Sequence, residues 1–268
     1  MPWKDGQVKT NILMDGRSMR ANTTTVFRDD EAPSDERYKA LLQKFLGRDE
    51  NGRGVWRNSA AVSPDGLQWS LLQEPIYPWN SDTQNVCLKD GDQYRFYARL
   101  WRGVDKAGNS SISTETENAT TRTIGLSESS KFSRFPKAQE ILAPDPQDPD
   151  DMDFYNNACT RIKEDLYVMF ISAFYKPEGV IRVLGAWSRD GRSFQRLGRK
   201  PLLGLGEGEG FDSKVLYVAP GAVPGPRPDT YWFYYLGQSA KHDDNVPGKV
   251  HHGAGVGRFL VEILDGGS

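Results

Sequence analysis

Hydrophobic positions in this chain fall in short runs, many of them aromatic, separated by polar stretches rich in glycine, proline, aspartate and serine. Such runs bounded by turn residues read as β-strands. Residues 80–99 show the pattern most clearly. A polar entry carrying Asp82 and Asn85 leads into the apolar strand Val86-Cys87-Leu88. A turn at Asp90-Gly91-Asp92 follows, and then an aromatic strand through Tyr94, Phe96 and Tyr97 to Arg99.

Variants of this unit recur. The first runs through residues 23–28, an acidic turn at 29–35, a strand from residue 37 with a short helix up to Phe45 as the alternative, a glycine-broken loop at 47–54, and residues 55–62. The second starts at Asp82, crosses a polar loop at 105–120 and resumes at 121–126. The third starts at Asp153 and runs through 166–175 and 180–187. The fourth starts at Phe211-Asp212 and runs through 215–217, 230–236 and 255–264. Ser63-Pro64-Asp65-Gly66 and Ser188-Arg189-Asp190-Gly191 close two of the units, and Asp-Gly between strands predicts a type I′ hairpin with positive φ at both central residues. Ser63, Ser127 and Ser188 recur at a steady interval of roughly sixty residues, the length of one four-stranded propeller blade. The expected fold is therefore all-β, one β-propeller domain over residues 1–268 with units at about 22–78, 79–142, 150–203 and 209–264. Residues 1–21, with a strand at 8–14 and a turn at Asp15-Gly16, read as the remnant of a preceding blade. The strands at 86–88, 158–160 and 215–217 are expected to line the central funnel, with the polar residues before them at its mouth.

Composition agrees with many short strands: 27 glycines, 16 prolines and 11% aromatics. A formal net charge of -2 with interspersed signs gives no electrostatic case for nucleic acid or an anionic membrane. The start, Met1-Pro2-Trp3-Lys4-Asp5-Gly6, lacks the apolar core of a signal peptide, so the expectation is a cytoplasmic protein, or an exported one if the N-terminus is truncated. Cys87 and Cys159 sit in apolar strands and read as small buried hydrophobes in preference to a disulfide.

The order of the units, the two Ser-x-Asp-Gly-x-x-aromatic hairpins (Ser63, Asp65, Gly66, Trp69; Ser188, Asp190, Gly191, Phe194) and the aromatic second strands resemble the five-bladed propellers of glycoside hydrolase families 32, 43 and 130 over residues 22–264. The resemblance implies an active site in the funnel, with acidic residues from different blades acting on a glycosidic bond. Only four units are recognisable, so the expectation is a chain that lacks most of a first blade or closes differently, and the blade that carries the first essential aspartate in families 32 and 43 is a candidate for the missing one. Phe27-Arg28-Asp29 is similar to the Arg-Asp-Pro motif of family 32, but it follows its strand and reads as a turn. The serine-aspartate hairpins resemble the aspartate box of sialidases and mark the fold, not a catalyst.

Glycosidic hydrolysis needs a proton donor and a second carboxylate facing it across the sugar. Asp82, Asp153 and Asp212 stand at three successive strand entries and are the catalytic candidates; each also suits a loop-capping role. Glu209, Asn85, Asn156, Asn157, Arg99, Tyr175 and Trp101 are the candidate sugar-binding residues, with turn, salt-bridge or packing roles as the plainer alternatives. The histidines His242, His251 and His252 read as a surface loop. No cofactor is implied, although the acidic run 145–153 would suit a structural calcium ion. The expected function is a glycosidase with a carbohydrate ligand; the alternative is a non-catalytic propeller that binds carbohydrate or protein.

Overall fold

A computed structural model of the chain describes residues 19–50, 52, 54–104, 110–113, 119–244 and 253–264. The strand and turn expected at 8–16, the residues His251 and His252, and most of the polar loop after Val104 lie outside the described residues.

The described chain is built of β-strands, with one 3-10 turn at Ser34–Glu36. Strands β1 (Met19–Arg28), β2 (Tyr38–Arg48), β3 (Gly54–Ser63) and β4 (Ser70–Leu71) form the first antiparallel sheet in that order. The stretch that read as strand or helix is therefore strand. The second sheet runs β5 (Val86–Asp90), β6 (Gln93–Val104), β8 (Ala119–Ser129) and β9 (Gln139–Leu142), with β7 (Ser110–Ser113) added beside the end of β6. The third contains β10 (Met152–Lys163), β11 (Leu166–Tyr175), β12 (Val180–Ser188) and β13 (Gln195–Arg196). A single parallel pair, Ile181 with Val215, joins it to the fourth unit. There β14 (Val215–Val218) and β15 (Val223–Pro224) share one edge of β16 (Thr230–Gln238), and β17 (Ala254–Glu262) takes the other. This unit is three rows wide, because its first row is an inner strand broken at residues 219–222.

Both faces of the middle strands are buried, which explains why they are nearly continuous apolar runs. Along β6, Phe96, Ala98 and Leu100 pack toward the first unit with Leu41, Tyr77 and Phe135, while Tyr97 faces the third with Ile124, Phe154 and Met169. Along β11, Met169, Ile171 and Ala173 join that second cluster, and Val168 and Phe170 pack on Leu216 and Phe233 of the fourth unit. The period of two thus ties the second and third sheets each to two neighbours, and each large side chain buried this way contributes about 1.5–3 kcal/mol. Cys87 and Cys159 are free thiols inside two of these clusters.

The serine-aspartate turns differ in detail from a type I′ hairpin. Only the glycines have positive φ, +75° at Gly66 and +67° at Gly191. The aspartates cap instead. Asp65 Oδ1 accepts from the Leu67 and Gln68 amides at 2.8 Å, and Asp190 Oδ1 accepts from Arg192 and Ser193 at the same distance. The β5–β6 turn is the tighter one: Asp90 pairs with Gln93, leaving Gly91 (φ +53°) and Asp92 as a two-residue loop whose single positive φ suits type II′.

Candidate functional site

The first rows of the units converge, and Gln84 joins three of them. Its Nε2 donates to the Asn157 carbonyl on β10 at 3.0 Å and to the Val218 carbonyl on β14 at 3.1 Å. The preceding loop is fixed from the other side. Thr25 Oγ1 donates to the Asn85 carbonyl at 2.7 Å and Gln43 Nε2 to the Ser81 carbonyl at 2.7 Å. The buried Asn85 amide is used entirely within this framework: Nδ2 donates to Asn58 Oδ1 and to the Ser81 and Thr83 carbonyls, and Oδ1 accepts from Ser81 Oγ and the Arg99 amide. Asn85 therefore holds the loop that presents Asp82.

Asp82 projects from that loop with its side chain 37% exposed and forms an ion pair with the buried Arg99. Arg99 Nη1 also donates to the Tyr155 carbonyl at 3.4 Å. Arg99 and Trp101 lie two residues apart on one face of β6, and Arg122 of β8 is the direct cross-strand partner of Trp101. Both guanidinium groups consequently lie against the indole, 4.7 Å and 4.5 Å from its ring centre, and both lie against Tyr155, at 4.8 Å and 5.3 Å.

Tyr155 reaches this position through a bulge. The β10–β11 register shifts between Phe154 and Asn156, so the strand carries an extra residue there and its side chains are re-aimed. Asp153, before the bulge, is the second residue of β10. Its side chain is 2% exposed, with Oδ2 2.6 Å from Arg122 Nη1 and Oδ1 3.2 Å from both the Arg122 amide and Lys176 Nζ. Asn156, after the bulge, lines a cavity, and its Oδ1 has no hydrogen-bond partner within the protein. Asn157 is fully buried beneath it.

That cavity, about 640 Å³, is bounded by Asp82, Tyr155, Asn156, Tyr217, Tyr234 and Tyr235, and so draws on the second, third and fourth units. Asp212 stands behind its wall: Tyr235 donates its phenol to Asp212 Oδ2 at 2.8 Å, and burial together with that carboxylate pushes the Tyr235 phenol up to about 12. A Cβ on Gly206 would lie 2.0 Å from Asp212 Oδ1, so a glycine there makes room for the carboxylate. Burial also raises the Tyr217 phenol far above its ordinary value. His242 packs against Tyr155 from outside the cavity lining, its ring 4.6 Å from both Tyr155 and Phe174 and its Nδ1 2.7 Å from Asp243 Oδ1.

The structure thus gathers Asp82, Arg99, Trp101, Asn156 and, beneath them, Asp153. It separates Glu209, exposed on the loop before β14, and Tyr175, which packs under Arg182 at 4.6 Å. Asp145 and Asp148 of the acidic run face guanidinium groups of Arg196 and Arg199, and among the described residues no three His, Cys, Asp or Glu side chains converge as metal ligands. Sequence reasoning missed Arg122, Tyr155, Tyr217, Tyr234, Tyr235 and His242. The run Tyr231-Trp232-Phe233-Tyr234-Tyr235 carried a signal for two of them, since one face of an aromatic strand beyond the core must meet solvent or ligand.

No protein-family model and no curated protein matches the sequence. Solved structures match in fold. They include a glycosyl hydrolase from Bacteroides ovatus (TM-score 0.52, 13% identity, covering 82% of this chain and 60% of that one). A β-1,2-mannobiose phosphorylase from Listeria innocua, seen with β-1,2-mannobiose, gives TM-score 0.52 at 16% identity, covering 82% and 68%. A family 32 β-fructofuranosidase from Bombyx mori, seen with sucrose, gives 0.54 at 16%, covering 92% and 47%. The chain therefore spans from about half to about two thirds of the length of these three proteins. Neighbours at this level include propellers of glycoside hydrolase families 130 and 32, and identities this low speak for the fold alone. The chain has the fold of the β-propeller glycosidases.

Proposed function

We propose that the protein binds a carbohydrate in the tyrosine-lined cavity at the mouth of the funnel, with Asp82 as the carboxylate that touches the ligand. The observation that carries this reading is the wall itself. Tyr155, Tyr217, Tyr234 and Tyr235 line it with aromatic surface, and Asn156 adds a buried amide oxygen with no partner in the protein. Rings that stack on a sugar, combined with a few fixed polar groups, suit a polyhydroxylated ligand. The glycosidase fold, and the carbohydrate ligands of the neighbours, support the same class.

Cleavage of a glycosidic bond is the second reading, favoured by the position of Asp82: of the three candidate aspartates it alone lines the cavity. Hydrolysis with two carboxylates would need a second acid about 5–5.5 Å or 6.5–9.5 Å away. Asp153 is engaged by Arg122 and Lys176, and Asp212 by Tyr235. Screening the protein on a glycan array and against aryl glycosides and oligosaccharides, with and without phosphate, separates the readings. Binding without turnover establishes recognition alone; turnover abolished in Asp82→Asn with binding retained establishes catalysis. Neither binding nor turnover across the panel refutes both.

A further inference from the structure

A second cavity, about 500 Å³, lies on the outer side of the second unit, between Trp79 and the segment that joins β8 to β9. That segment has a three-residue period. Phe132, Phe135 and Ala138 are buried in the cluster between the first two units, while Lys131, Arg134 and Lys137 are exposed and line the cavity. Its backbone is pinned at several points. The Phe135 amide donates to the Ile76 carbonyl at 2.8 Å, the Ala138 amide to the Tyr77 phenol oxygen at 3.3 Å, and Ser127 Oγ to the Pro136 carbonyl at 2.6 Å. Trp79 is set opposite by packing on Tyr77 with ring centres 5.2 Å apart.

Among the described residues, none of these three cations has an ion-pair partner, and no carboxylate lines the cavity. Arg182, Arg189, Arg192 and Arg199 elsewhere on the surface each face an acid. Three like charges held on a fixed segment repel one another unless an anion joins them. A turn brings the first two cations together, the Arg134 amide donating to the Lys131 carbonyl at 3.3 Å, and the stretch beyond it, rising about 3.1 Å per residue where extended, sets Lys137 about 9 Å further on, so a ligand with one anionic group fills only part of the array. A linear ligand that repeats its charge, and whose rings stack on Trp79, fills it.

We propose that this cavity is an accessory site for an anionic polysaccharide, bearing carboxylate or sulfate groups, separate from the funnel and independent of the function assigned there. The test is calorimetric titration of the whole protein with oligogalacturonate, with a heparin-derived sulfated tetrasaccharide and with neutral cellotetraose, at low and at moderate salt. At least one anionic probe is expected to bind, more weakly as salt rises, and which of the two binds names the anionic group. The exposed triple variant Lys131→Gln/Arg134→Gln/Lys137→Gln should weaken that binding at least tenfold with an unchanged melting temperature, whereas Asp82→Asn leaves it unaltered. Binding of neither anionic probe, equal binding of cellotetraose, binding by the triple variant within twofold of the parent, or loss of binding in Asp82→Asn would overturn the proposal.

Discussion

Replacing Asp153 with asparagine separates a scaffold role from a catalytic one. The parent carboxylate is 2% exposed and accepts from the Arg122 amide, the Arg122 guanidinium and the Lys176 ammonium. Asparagine keeps the shape but removes the charge and turns one acceptor into a donor facing Arg122. Removing one partner from a fully buried ion pair costs about 3–5 kcal/mol. Here both cations keep some water, with side chains 21% and 35% exposed, and exposed pairs are worth about 0–1 kcal/mol. The expected loss lies between these limits, at about 2 kcal/mol, a fall in Tm of about 4–8 °C for a chain of this size. Urea unfolding followed by tryptophan fluorescence measures it, and adding Lys176→Gln, which removes one of the stranded charges, should restore part of the loss. An Asp153→Asn protein within about 0.5 kcal/mol of the parent that has nevertheless lost binding or turnover tenfold would refute the reasoning and place Asp153 on the substrate.

Three further outcomes follow from the same contacts. Gln84→Ala removes both hydrogen bonds that tie the second unit to β10 and β14, and should destabilise by about 1–3 kcal/mol in the same assay. The Asp190 carboxyl is held down to about 2 by the Ser193 and Arg192 amides and Ser188 Oγ. A folded pKa below the unfolded value of about 3.9 gives stability that is full above pH 4 and lost as pH falls toward 2, so Asp190→Asn should be less stable than the parent at pH 7, with the gap closing by pH 2. Burial raises the thiols, Cys159 up to about 12 and Cys87 well above its ordinary value, so a thiol reagent at pH 8 should leave the native protein unmodified and label both cysteines after unfolding.

The propeller was legible because its causes are local. Strands buried on both faces must be apolar along their length, and the serine-aspartate-glycine turns capture their own amides. In the fourth unit the three runs at 215–217, 230–236 and 255–264 are strands as expected, and only the short β15, which continues the row of β14 past the break at 219–222, went unread. The site was only half legible. Asp82, Arg99 and Trp101 share the best-patterned stretch, but the bulge at Tyr155 decides which neighbour faces the cavity, and nothing in the spacing of Asp153 to Asn157 announces it. Arg122 stands in a threonine-rich stretch, and nothing in that stretch announces its cross-strand pairing with Trp101. Partners drawn from different units, such as Arg122 with Asp153, lie far apart along the chain and depend on how the sheets pack.

The central claim is that the tyrosine-lined cavity holds a carbohydrate. Tyr234 lines it and is 39% exposed, so its truncation leaves the core intact. Titration calorimetry of the parent and of Tyr234→Ala with the strongest glycan from the array tests the claim most directly. Loss of a stacking face worth about 1–1.5 kcal/mol predicts roughly tenfold weaker binding at an unchanged melting temperature. Equal affinity for the two proteins would place the carbohydrate elsewhere and contradict the account.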